Sequence, residues 1–223
     1  MRDRLRERDR ADKSARKFSI GTKISLADRI GIVRTWLIAL TELGDTAVLV
    51  PLAALLVLWL LLSRCPRGAA WWAIAVVMCV GLTAVLKLTF YGCPPIPGLR
   101  SPSGHASFST LVYGAITLVS ATESRGFRRV MAISGGAGLI LAIAASRLLL
   151  PAHSVPEIGF GLVIGSAALP LFGRSYLRCQ ATKVWLLLLL VTSGALVLVL
   201  HGGELDTEQV MHDIAGYLRI RCP

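Results

Sequence analysis

Acidic side chains are scarce in this sequence: 13 Asp and Glu stand against 24 Lys and Arg, and charged residues of both signs make up only 17% of 223 positions. Soluble domains carry about 25% charge. The shortage, set beside a hydrophobic content of 54%, excludes most soluble folds. The disordered class is excluded as well, because it needs few hydrophobes together with many charges. Cysteine is thin and unpatterned. Cys65, Cys79, Cys93, Cys179 and Cys222 form no C-x-x-C pair and are odd in number, so neither a disulfide framework nor a zinc site is expected. They read as small apolar packing residues with at most one incidental bridge. Alternation of apolar and polar residues over about ten positions is lacking too, which argues against a membrane barrel.

Long uncharged apolar runs are abundant instead. They span Thr46 to Leu62, Gly68 to Leu86, Ser101 to Thr122, Val130 to Ser146, Ile158 to Gly173 and Val184 to Leu200. An α-helix needs roughly 17 to 25 residues to cross about 30 Å of hydrocarbon, so each run is close to one crossing. The predicted fold is an all-α polytopic membrane bundle of about six transmembrane helices over residues 45–200. Short connectors join them, the second rich in Pro and Gly from Tyr91 to Arg100.

The charge that exists is concentrated at one end, with 11 basic and 5 acidic side chains in residues 1–34. Residues 1–24 read as a basic disordered tail beside anionic lipid headgroups, not as a nucleic-acid arm. The stretch from Met1 to Lys17 has no apolar segment and does not resemble a secretory signal peptide. In residues 25–44, Leu26, Ile30, Val33, Leu37 and Leu40 recur at helical spacing, with Ser25 and Asp28 placed like a capping box. This predicts an interfacial amphipathic helix. Residues 201–223 read as a C-terminal tail or interfacial helix with Val210, Met211, Ile214 and Leu218 on one face. A multi-pass protein of the bacterial inner membrane is the expected setting. The first, third and fifth connectors carry Arg64, Arg67, Arg125, Arg128, Arg129, Arg174, Arg178 and Lys183. The positive-inside rule turns them to the cytoplasm and the second and fourth connectors to the periplasm, whereas the basic N-terminal tail pulls the other way.

Polar residues at the ends of membrane helices are costly and point to function. Three clusters qualify: Lys87 with Tyr91 to Pro95; Arg100 to His105; and Ser146-Arg147 with His153 and Glu157. Singly, each has a bland reading, for a lysine at a helix end snorkels, a Ser-Gly pair caps, and a His/Glu pair at i, i+4 decorates a surface. Alternating hairpins bring the second and fourth connectors to the same face, so the three clusters converge. Ser103 and Gly104 at a helix start then offer backbone N–H groups to an anion, Lys87, Arg100 and Arg147 supply positive charge, and two histidines supply a nucleophile and a proton donor. His201 and His212 have no such company.

At these residues the chain resembles the type 2 phosphatidic acid phosphatase superfamily of integral-membrane lipid phosphatases. Its signature is K-x6-R-P, then P-S-G-H, then S-R-x5-H-x3-D. Pro102-Ser103-Gly104-His105 matches the middle element, and Ser146-Arg147 followed by five residues and then His153 matches the last. The resemblance implies that His153 is the nucleophile forming a phosphohistidine and that His105 is the general acid. It further implies that Glu157 orients His153, that Lys87, Ser103, Gly104 and Arg147 bind the phosphate, and that neither metal nor cofactor is needed. Two positions depart from the pattern. Pro94 stands where the family has Arg, with Arg100 as candidate replacement, and Glu157 stands where the family has Asp.

The expected activity is metal-independent hydrolysis of a lipid phosphate or pyrophosphate monoester, with the lipid phosphate and the surrounding membrane lipids as partners and no nucleic acid. A phosphotransferase using the same phosphohistidine remains open. So does a lipid-binding or transport protein with decayed catalysis, which the retention of both histidines, Ser103, Arg147 and a carboxylate opposes.

Overall fold

The structure is a computed structural model, and it describes residues 26–92, 99–179 and 183–200 together with residues 210, 213, 214, 216 and 217. The N-terminal tail, Ser25 of the capping box, Pro94, Pro95, His201, His212, and Met211 and Leu218 of the C-terminal face lie outside the described residues. The ordered elements are helices: α1 Leu26–Glu42, α2 Thr46–Leu62, α3 Pro66–Gly92, α4 Gly104–Glu123, α5 Phe127–Leu149, α6 Val155–Tyr176 and α7 Lys183–Leu200. Among the described residues there is no strand. The chain divides into two units, Met1–Trp36 and Leu37–Pro223. In the first, Ile32, Val33 and Trp36 are exposed.

Helix α4 is the centre of the bundle, packing on α6, α5, α3 and α2. Its first two-thirds is almost wholly buried, from Ala106 through Ala115. A helix enclosed by helices need not be greasy; it needs small residues and internally satisfied hydroxyls. Thr110 Oγ1 donates to the Ala106 carbonyl at 2.6 Å, and Ser107 Oγ donates to that of Gly104 at 3.1 Å. Thr83 of α3 donates to Ser107 Oγ at 3.1 Å. This explains why α4 is absent from the stretches long and apolar enough to cross a membrane, which are Gly31–Leu62, Pro66–Tyr91, Phe127–Leu149 and Val155–Tyr176. The outer helices are the apolar ones. Val77, Met78 and Val85 on α3, Val130 and Leu141 on α5, and Val163 on α6 are all exposed, a surface suited to hydrocarbon and unsuited to water.

Helices α4 and α6 approach closely through Gly161 and Gly165. A Cβ on Gly161 would stand 2.6 Å from the Ser103 carbonyl oxygen and 2.9 Å from Ala106 Cβ. This G-x-x-x-G contact seats the start of α4 against the start of α6. Gly126, with φ of 54°, turns the chain between α4 and α5, a conformation open to glycine at no steric cost. At the opposite end of the bundle, Trp59, Trp72, Phe172 and Tyr176 stack into an aromatic cluster. Beside it Cys65 and Cys179 form a disulfide with a Cα–Cα separation of 5.9 Å. One bridge therefore exists, between the first and fifth connectors, while Cys79 is buried and reduced.

Candidate active site

The helix ends that carry the sequence motifs meet at one end of the bundle. Helix α3 continues past its apolar run to Gly92, carrying Lys87 at only 7% exposure. The lysine lies along the start of α4, for a Cβ built on Gly104 would be 3.7 Å from Lys87 Cε and 4.0 Å from Nζ. A methyl group at 104 would sit in ordinary contact with the lysine side chain. Ser103 is fully buried and caps α4, its hydroxyl accepting from the Ala106 N–H at 3.4 Å. The first turn of α4 thus presents its positive dipole end beside Lys87.

Glu157 ties the second and fourth connectors together. It sits in the first turn of α6, where Ser154 and Glu157 form a capping box. One carboxylate oxygen, Oε1, accepts the N–H groups of Arg100 at 2.9 Å and Ser101 at 3.1 Å. The other, Oε2, accepts from the Ser154 N–H at 2.9 Å and lies 3.1 Å from His153 Nδ1. The Glu157 carbonyl in turn accepts the Ser103 N–H at 3.0 Å. A carboxylate with four donors around it is locked in orientation, and it fixes the ring of His153. It also favours the tautomer with the proton on Nδ1, which puts the imidazole lone pair on Nε2.

Arg147 lies in the last turn of α5, and its carbonyl accepts the N–H groups of Ala152 at 3.1 Å and His153 at 3.2 Å. The turn between α5 and α6 is therefore held at both ends. Arg100 brings its main chain to the site through Glu157, while its side chain is exposed at the rim. His105, one residue into α4, is partly buried.

One carboxylate was not singled out from the sequence. Asp45 caps α2, its Oδ1 accepting from the Ala47 N–H at 2.7 Å, and its Oδ2 lies 3.7 Å from His105 Nε2. The only signal in the sequence is an acidic residue directly before a long apolar run. A cleft of about 170 Å³ opens beside this pair, with Lys87 and His105 on its polar side and Val50, Val80, Ala84 and Phe108 on its apolar side. Among the described residues no group of three His, Cys, Asp or Glu is gathered that could hold a metal ion.

Fold and geometry together define a helical membrane protein with a histidine–carboxylate pair facing a helix N-terminus. Residues 87–181 match the family model of the PAP2 superfamily, the segment that holds Lys87, the Pro102–His105 motif and the run from Ser146 to Glu157. A Klebsiella pneumoniae protein described as an uncharacterized 22.5 kDa protein in the cps region is 34% identical over 136 residues. The alignment covers 58% of this chain and 64% of that relative. No solved structure matches.

Proposed function

We propose that the protein is a membrane phosphatase that hydrolyses a lipid phosphate or pyrophosphate monoester through a phosphohistidine on His153. The observation that carries this reading is the 3.1 Å contact between His153 Nδ1 and Glu157 Oε2, on a carboxylate whose other oxygen is held by two main-chain N–H groups. With the Nδ1–H donating to Glu157, the Nε2 lone pair attacks phosphorus. The P–N bond forms, the P–O bond to the lipid breaks, and the leaving oxygen takes a proton from His105. Water then attacks the phosphohistidine, His105 accepts its proton, and the P–N bond breaks to give inorganic phosphate.

Charge grows on the phosphoryl oxygens in each step. Lys87, Arg147, the N-terminal turn of α4 with Ser103 and Gly104, and Arg100 from the rim are the groups that stabilise it, each such stabiliser being worth about 10² to 10³ in rate. The absence of a side chain at Gly104 leaves room for a phosphate beside Lys87. The cleft supports a lipid substrate, because its apolar wall lies next to the cation and the histidine and so suits a chain ending in a phosphate. The proposed setting is the bacterial inner membrane, with the site on the periplasmic side.

Phosphate release by detergent-purified protein, with chelator present, from phosphatidate, phosphatidylglycerol phosphate and polyprenyl pyrophosphate tests the reading. Release that is abolished by His153→Ala is expected. Release that survives this substitution would refute it, and lipid-to-lipid phosphoryl transfer without release would identify a phosphotransferase.

A further inference from the structure

The site contains a second histidine–carboxylate pair, Asp45 with His105, and it is built on the same plan as the first. In Glu157 one carboxylate oxygen is fixed by main-chain N–H groups and the other faces His153. In Asp45 one oxygen is fixed by the Ala47 N–H at 2.7 Å and the other stands at ion-pair distance, 3.7 Å, from His105 Nε2. Capping α2 requires only Oδ1. The placement of Oδ2 against an imidazole is additional to the cap.

The segment that carries Asp45 is pinned to the helices that form the site. Thr41 Oγ1 is hydrogen-bonded to Ser146 Oγ at 2.7 Å, next to Arg147. Tyr113 of α4 donates its hydroxyl proton to the Leu43 carbonyl at 2.7 Å. Directly after them Gly44 lies against the histidine, since a Cβ there would be 3.3 Å from His105 Cδ2 and 2.7 Å from Ile143 Cγ2. A larger residue at 44 would displace the ring. Asp45 itself is 7% exposed, a burial that an acidic side chain adopts when it has partners. It lies outside residues 87–181, the segment that matches the family model.

We propose that Asp45 is a positioning residue for His105: its carboxylate holds the ring and attracts the imidazolium more than the neutral imidazole, so that His105 delivers its proton to the leaving oxygen. This rests on the phosphatase reading above. Asp45 does not touch the phosphate; it acts on the P–O cleavage step through His105. The demand for a proton is greatest when the leaving group is an alkoxide and small when it is a stabilised aryl oxide.

The test uses the full chain in detergent with Asp45→Asn, Asp45→Ser and Asp45→Glu, on phosphatidate and on 4-nitrophenyl phosphate. Asn and Ser both cap helices well, so the cap and the thermal midpoint are retained while the charge is lost. A general acid is worth about 10² to 10⁴ in rate. The expected result for Asp45→Asn and Asp45→Ser is a loss in kcat on phosphatidate of about 10-fold to 10²-fold, with KM little changed and a much smaller loss on the aryl ester. Asp45→Glu restores part of the rate, and Asp45→Asn adds no further loss in a His105→Ala background. If Asp45 only caps α2, Asp45→Asn has the wild-type rate on both substrates, and that result overturns the proposal. Equal losses on both substrates also overturn it. If the wild type releases phosphate from neither, the phosphatase reading fails first and takes this role with it.

Discussion

Gly161→Ala perturbs the seam on which the site depends without touching a reacting group. The added Cβ would lie 2.6 Å from the Ser103 carbonyl oxygen, whereas carbon–oxygen contacts between packed helices settle at about 3.3 to 3.6 Å. Both atoms belong to rigid helix ends, so neither can rotate away, and α4 and α6 must part by about 0.7 Å at this level. Overpacking of this kind costs about 1 to 3 kcal/mol. The displacement acts directly on the chemistry, because Ser103, Gly104 and His105 ride on α4 while His153 and Glu157 ride at the start of α6. A misplacement of about 1 Å is worth about 10² in rate, so phosphate release falls by about 10-fold to 10²-fold in protein that still purifies as a folded species. Thermal unfolding in detergent and phosphate release from phosphatidate measure the two effects. Gly138→Ala, at a position with open space around the added carbon, is the control. A Gly161→Ala protein with wild-type midpoint and wild-type rate would refute the seam as the element that aligns the two halves of the site.

Other expectations concern individual groups. Glu157→Gln offers one acceptor oxygen where two are used, so an amide NH2 faces either the Arg100 and Ser101 N–H groups or the Ser154 N–H and His153. Each stranded donor costs about 1 to 3 kcal/mol, and a histidine held by an amide instead of a carboxylate loses up to about 10⁴ in kcat, as in serine-protease triads; Glu157→Asp recovers part of the rate. Arg100→Ala lowers kcat/KM by about 10²-fold and Arg100→Lys by less, read as phosphate release; a wild-type rate for Arg100→Ala would remove this side chain from the phosphate site. The Cys65–Cys179 bridge and the arginines of the first, third and fifth connectors lie at the same end of the bundle and make opposite demands, since disulfides persist in oxidising compartments and basic loops stay in the cytoplasm. The bridge is closed in the structure; with the site periplasmic, the reductants of the cytoplasm open it, so trapping of thiols in intact cells before lysis finds Cys65 and Cys179 both alkylated, whereas a pair still bridged in the cell would turn the site to the cytoplasm.

The helical bundle and the site motifs were legible because each rests on local sequence. The Thr46–Leu62 run coincides with α2, bounded by Asp45 and Ser63. In α3 and α5 the uncharged runs underestimate the helices: α3 extends through Lys87 to Gly92 and α5 through Arg147 to Leu149. A run ends at its first charge, but a membrane helix continues into the headgroup region, and Lys87 and Arg147, the cations proposed to bind phosphate, sit on those extensions. The burial of α4 was less legible. Its serines and threonines lower its hydropathy, and only the surrounding helices show that they face protein. Asp45 and the Cys65–Cys179 bridge were hidden for a different reason: each joins residues distant in sequence, Asp45 to a histidine on α4 and Cys65 to a partner 114 positions away. Arg100 was legible as a charge near the site, but the structure adds that its main chain, through Glu157, is the part fixed there.

The most direct test of the central claim is chemical trapping of the intermediate. Protein turning over a lipid labelled with ³²P in its terminal phosphate is quenched with base within a turnover, and the label on the chain is mapped. The expected result is an acid-labile, base-stable phosphoryl group on His153 that is absent from His153→Ala. Steady release of phosphate with no label on the chain, at a rate that His153→Ala leaves intact, would contradict it.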